Sequence, residues 1–152
     1  MKRPRLGDIV QVSTTNGFAY AQLTHRNPMM GFLLRILPGL YPKPLTNFTE
    51  KVCEKELYHT FVFREDLTEP PVTSIVGHEP VPERCRAFPL FRTGVRDPKT
   101  SRVPTWWLWD GNVSWPIGTL IDEQRHLSLR QIWNYKILAD RAGRGWLPTD
   151  EC

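Results

Sequence analysis

Four of the six tryptophans fall in one short stretch, Trp106-Trp107-Leu108-Trp109-Asp110-Gly111-Asn112-Val113-Ser114-Trp115. An Asp-Gly pair with aromatic and apolar residues on both sides is the strongest short-range signal for a β-hairpin. Alternation along a strand puts Trp107 and Trp109 on one face and Trp106 and Leu108 on the other. Both faces are apolar, which predicts a strand covered on two sides and a hairpin at the packing centre. Core packing accounts for Trp106, Trp107, Trp133 and Trp146. Trp109 and Trp115 lie near the tip of the hairpin and are the two expected to be partly exposed. Asp110 and Gly111 read as turn residues.

The rest of the chain is punctuated often. Fourteen prolines and ten glycines in 152 residues argue for short strands and turns over long helices. A first strand is predicted over 6–12 and a returning strand over 18–23. The turn between them contains Asn16-Gly17, a pair that readily supplies positive φ. A third, mostly apolar strand follows over 31–37, ended by Pro38-Gly39. Three strands joined this way resemble the opening of a small SH3-like barrel. Asn47 is expected to cap a short helix over 46–53, and further strands are predicted over 58–63 and 72–77. Phe88-Pro89-Leu90-Phe91-Arg92 carries a proline and is assigned to an edge or an extended loop. Residues 94–104 read as a surface loop.

Only the C-terminal part carries helical signals. Thr119 can cap a short helix through Arg125. Ser128 can cap a longer one starting at Leu129, with Leu129, Ile132, Trp133 and Ile137 near the i, i+3, i+4, i+7 spacing. That helix should stop at Gly143 or Gly145, with Trp146 folding back on the core. The expected fold is a single α+β domain over 1–152. It consists of a strongly bent, mainly antiparallel sheet or SH3-like barrel, extended by the tryptophan hairpin and covered by a C-terminal helix.

Chemistry-bearing patterns are sparse. There is no GxSxG, P-loop or GxGxxG signature. The four histidines, His25, His59, His78 and His126, stand apart without metal-ligand spacing. Cys53, Cys85 and Cys152 form no CxxC pair, and free thiols fit a reducing compartment. Neither a metal nor a cofactor is implied. His78-Glu79 is the most acid/base-like pair, and an enzyme built on it is the third reading of the chain. No apolar run reaches the ~20 residues a membrane span needs, so a cytoplasmic protein is expected. The net charge is +4. That permits attraction to nucleic acid, with Lys2, Arg3 and Arg5 as the dense basic cluster. A small nucleic-acid-binding module is therefore the second reading.

Several segments taken in order carry a resemblance. Gly7-Asp8-Ile9-Val10 leads into Gly17-Phe18-Ala19-Tyr20-Ala21-Gln22. Ile75-Val76-Gly77-His78-Glu79-Pro80-Val81-Pro82-Glu83 and Phe88-Pro89-Leu90-Phe91-Arg92 come later. The Trp106–Gly111 string then precedes Glu123-Gln124-Arg125, Ile132-Trp133-Asn134 and Gly145-Trp146. Together they resemble the immunity protein 26 family of bacterial polymorphic toxin systems, over nearly the whole chain. The resemblance implies a protein that binds and neutralises a cognate toxin sterically, with no catalytic residues. The candidate partner contacts are Tyr41 and Lys43 in one loop, Glu79 and Arg84 in a second, Lys99 and Arg102 in a third, and Trp109 and Trp115 on the hairpin.

Overall fold

The computed structural model describes residues 3–151. It is α+β, with ten strands in two mixed sheets and one α-helix among the described residues. The strands are β1 (Asp8–Thr14), β2 (Gly17–Asn27), β3 (Gly31–Ile36), β4 (Tyr58–Val62), β5 (Thr73–His78), β6 (Phe91–Gly94), β7 (Trp106–Trp109), β8 (Ser114–Gly118), β9 (Ser128–Leu129) and β10 (Ile132–Trp133). The helix is α1 (Tyr135–Gly143). The larger sheet has the order β10-β4-β3-β2-β1-β5 and the smaller one β8-β7-β6-β9. All neighbours are antiparallel except β10 with β4 and β9 with β6, which are parallel. The expected β1-β2-β3 meander is present, but the larger sheet does not close into a barrel. It remains open, with β5 at one end and β10 at the other.

The β1-β2 turn is short because Gly17 takes a φ of +128° that a side chain would resist. A Cβ there would also meet the Tyr41 carbonyl oxygen at 2.8 Å, where Phe18 and Tyr41 form an isolated bridge. One face of the larger sheet carries Val10, Val12, Ala19, Ala21, Leu23, Leu34 and Ile36. Small alanines keep it shallow where α1 crosses β1 and β2 and buries Leu138. Gly143 ends the helix so close to β1 that a Cβ would meet Thr14 Cβ at 2.8 Å. Trp146 does fold back, packing edge-on to Tyr58 and Trp133 at 5.1 and 5.2 Å between ring centres.

The helix expected from Leu129 begins six residues later. Ser128-Leu129 pairs with Phe91-Arg92, and Ile132-Trp133 with Phe61-Val62. The apolar spacing that suggested a helix is used instead by two short strands completing two different sheets. Asn134 is the true cap, its side-chain oxygen accepting the Ile137 N–H at 2.9 Å. Two other expected helices reduce to single 3-10 turns, at Lys51–Cys53 and Asp122–Gln124. Asn47 caps only a local turn, through the Thr49 N–H at 2.9 Å. In the proline-bearing segment at 88–92, residues 88–90 are loop, as one of the two expectations had it, and Phe91-Arg92 open an interior strand rather than an edge. Pro89 precedes β6, so Phe91–Gly94 keeps its ladder and lies between β7 and β9.

The opposite face of the larger sheet is divided. Ile9, Tyr20, Leu37, Phe48 and Val52 form one apolar cluster, and Leu33, Phe61, Phe91 and Trp109 form another. Between them the register aligns Gln22, Arg35 and His59 side by side across β2, β3 and β4. A polar row thus crosses the interior, and the loops that cover it must satisfy it.

Candidate functional site

The tryptophan hairpin is tighter in chemistry and looser in length than a two-residue turn. Asp110–Val113 form a four-residue loop between β7 and β8. The Asp110 carboxylate accepts the Val113 and Asn112 N–H groups at 2.8 and 2.9 Å, which hold its pKa below the usual range. Gly111 has φ +96°, and a Cβ there would meet the Phe88 ring at 2.6 Å. Asp110 and Gly111 therefore serve the turn, as expected.

The exposures of the paired tryptophans are reversed from expectation. Trp109 is only 5% exposed. It packs among Phe61, Phe88 and Phe91, with the Arg130 guanidinium 4.0 Å from its ring centre. Trp107, two residues back on the same face, is 40% exposed. The difference lies in what stands opposite. Trp109 pairs across to Phe91, which meets the larger sheet, whereas Trp107 lies between Thr93 and Pro116, beyond its reach. Trp115 is 38% exposed, and Val95 and Val113 are exposed as well. Trp107 lines a shallow groove of about 500 Å³ with Thr93, Val95, Pro104 and Ser114. Trp115 pairs with Leu108 and so belongs to the opposite face of the sheet. An exposed Trp107 held on a strand is a preorganised docking point, and tryptophan is among the residues that dominate interface energetics.

The other candidate contacts do not assemble with it. Tyr41 is half-buried, takes a hydrogen bond from Lys51 Nζ at 2.7 Å and meets the Tyr20 ring at a tilt of 59°, so it braces the connector. Lys43 is exposed. Glu79 accepts from the Thr49 hydroxyl at 3.1 Å, and Arg84 donates to Glu56 at 3.1 Å and to the Glu54 carbonyl at 2.9 Å. Lys99 and Arg102 are exposed on the 94–104 loop, with backbone N–H groups tied into local turns. His78 and Glu79 are not brought together. His78 Nδ1 lies 2.8 Å from Asp8, on a different element from the Thr49 partner of Glu79.

A cluster absent from the sequence reading lies under the polar row. Arg35, fully buried, donates from Nε to Gln22 Oε1 at 2.9 Å and from its two terminal nitrogens to the Glu54 and Val52 carbonyls. Glu56 lies 3.7 Å from Arg35 and 4.0 Å from His59. Burial pushes the Glu56 carboxyl up, but its backbone and Arg84 hydrogen bonds and nearby His59 more than offset this and leave it below its usual range. Burial lowers His59 to about 4 despite Glu56, so the imidazole is neutral at pH 7. Cys85 faces Glu56 at 3.8 Å, and burial raises its thiol. A protonated thiol beside a carboxylate is a poor nucleophile. The cluster fastens the 51–56 and 83–86 segments to the sheet. Its signal in sequence is the arginine within the apolar Gly31–Leu37 run.

Cys53 and Cys85 are free thiols, and Cys152 lies outside the described residues. Among the described residues no group of three His, Cys, Asp or Glu side chains is arranged to hold a metal, and no helix is long and apolar enough to cross a membrane. Comparison with protein-family models, curated proteins and solved structures finds no match to this chain.

Proposed function

We propose that this chain is a protein-binding inhibitor of the immunity type, which engages a cognate bacterial toxin through the outward part of its smaller sheet. One observation carries the reading: Trp107 stands exposed on β7, an interior strand of that sheet, in a groove that it lines with the exposed Val95 and with Thr93, Pro104 and Ser114. A large aromatic side chain left in water on a rigid strand is of little use to the fold and suits a partner's pocket. Blocking by this surface needs no catalytic group, which agrees with the family resemblance. The edge strand β8 carries Pro116, which limits sheet-edge pairing and favours side-chain docking on the face.

The test is protection of cells. The protein is co-expressed with the product of each toxin-like gene adjoining its own, and growth and complex formation are followed. Protection is expected from one of them, with a complex stable to size-exclusion chromatography. Trp107→Glu should abolish both while far-UV circular dichroism is unchanged. Protection that survives Trp107→Glu would rule out this surface, and failure to protect against every adjoining candidate would rule out the immunity role.

A further inference from the structure

A second surface has different chemistry. A concavity of about 700 Å³ is lined by Arg3, Arg26 and Arg64 with Phe32 and Phe63, and by Glu65 as the one carboxylate among its lining residues. The topology brings these together from distant parts of the sequence. Arg26 pairs across to Phe32, and Phe32 to Val62, so Arg26 and the Phe63-Arg64 corner stand at one end of three adjacent strands. The Arg26 guanidinium lies over the Phe32 ring at 5.2 Å. Such stacking orients the planar fork and leaves its N–H groups free at the edge. Phe63 is 47% exposed. Gly31 makes room beneath it, since a Cβ there would meet Phe63 Cδ1 at 3.3 Å and the Val62 carbonyl at 2.6 Å.

The concavity also continues. A second depression, of about 600 Å³, shares Arg3 and adds Arg5 and His78. Its Asp8 is engaged by His78 and by the Arg5 backbone N–H, each at 2.8 Å. Two depressions that meet at Arg3, with arginines in both and an exposed aromatic ring lining the first, differ from a pocket for one small anion. They match a chain of regularly spaced phosphates carrying flat rings. Guanidinium groups take the phosphates, and an exposed phenyl ring stacks a base without regard to sequence.

We propose that this groove binds single-stranded nucleic acid, with Arg3, Arg26 and Arg64 on the backbone phosphates and Phe63 stacked on a base. The site is independent of the tryptophan surface. A paired duplex keeps its bases in the stack and offers none to Phe63, so single strands are preferred.

The experiment is fluorescence anisotropy of the full chain with labelled oligothymidylate, the same strand paired to its complement, and heparin and anionic phosphatidylserine vesicles as competitors. Binding to the single strand is expected at low salt. The logarithm of affinity should fall with the logarithm of salt with a slope of about −2, from three phosphates at ~0.7 each. The Arg26→Ala/Arg64→Ala variant should bind at least about tenfold more weakly, and Phe63→Ala about fivefold more weakly. Phe63→Trp should restore binding, and Trp107→Ala should leave it unchanged. The proposal is overturned by absence of binding at low salt, by equal affinity for duplex, or by indifference to Phe63→Ala. Indifference to that ring together with full competition by heparin or vesicles would mark a general polyanion surface instead.

Discussion

Trp107 and Trp109 offer a matched pair of substitutions whose effects should separate folding from binding. They have the same chemistry, the same strand and the same face, and differ in burial: 40% against 5% exposed. Trp109→Ala removes a ring held among three phenylalanines and under Arg130. The transfer and cavity terms together cost about 4 kcal/mol for a buried tryptophan. Trp107→Ala exposes less new apolar surface and leaves no cavity, because water enters the groove, so its cost is about 1–2 kcal/mol. With a urea m-value of about 2 kcal/mol/M for a domain of this size, the midpoint falls by about 2 M for Trp109→Ala and by less than about 1 M for Trp107→Ala. Far-UV circular dichroism is the proper signal, since each substitution alters tryptophan fluorescence directly. Partner binding should show the opposite order when compared among folded molecules: lost in Trp107→Ala, kept in Trp109→Phe. Equal midpoint losses, or a larger loss for Trp107→Ala, would refute the assignment of these two side chains.

Arg35→Ala should destabilise the fold by about 3–5 kcal/mol in urea titrations, because it leaves the buried Val52 carbonyl and the Gln22 side-chain oxygen without their donor and removes one of the two guanidinium groups beside Glu56. Arg35→Lys should recover little of this, since an ammonium cannot reach Gln22, Val52 and Glu54 with one planar fork. His59 predicts a pH dependence. Its pKa is about 4 when folded against 6.5 unfolded, so the unfolded chain takes the proton first. The stability so gained is full above pH 6.5 and falls by up to about 3 kcal/mol as pH drops towards 4, and His59→Leu should flatten urea midpoints across that window. Tyr58→Phe should leave the thermal midpoint unchanged or raise stability by about 1 kcal/mol, because the buried hydroxyl has no hydrogen-bond partner.

The N-terminal meander was legible because local signals agreed there: strand alternation, Asn16-Gly17 at the turn, and Pro38-Gly39 at the stop. The C-terminal region was not, because a spacing of three and four also fits two dipeptide strands with different neighbours. Nothing local reveals that Leu129 meets β6 and Trp133 meets β4. The exchange between Trp107 and Trp109 has the same origin. Alternation assigns both to one face, but only the placement of the larger sheet decides which half of that face is covered. The basic groove was legible only in Arg3 and Arg5. Arg26, Phe63 and Arg64 join them because β2, β3 and β4 end at the same level. Tyr41, Glu79 and Arg84 sit in loops, and each makes a side-chain hydrogen bond within the protein that loop position alone does not reveal.

The buried arginines have a common cause in the composition. Fourteen prolines each lack a backbone N–H while keeping a carbonyl, so the covering loops hold more acceptors than donors. Such loops cannot be satisfied by one another, and side chains with several donors must enter the interior. Arg35 serves the Val52 and Glu54 carbonyls. Arg92, also fully buried, donates to the Leu127, Arg125, Pro148 and Glu151 carbonyls and lies over Trp106 at 4.7 Å. Gln22 reaches the Glu79 carbonyl, and Lys51 the Pro38 carbonyl. These contacts do for irregular segments what a ladder does for strands. They also sort the chain's positive charge into two classes. Arg35, Arg92 and Lys51 are committed to carbonyls and are closed to ligands. Arg3, Arg26 and Arg64 line a concavity whose one carboxylate is Glu65, and in the adjoining depression Asp8 is already engaged by His78 and Arg5, so the excess of base over acid becomes a local attraction for anions there rather than a diffuse property of the surface.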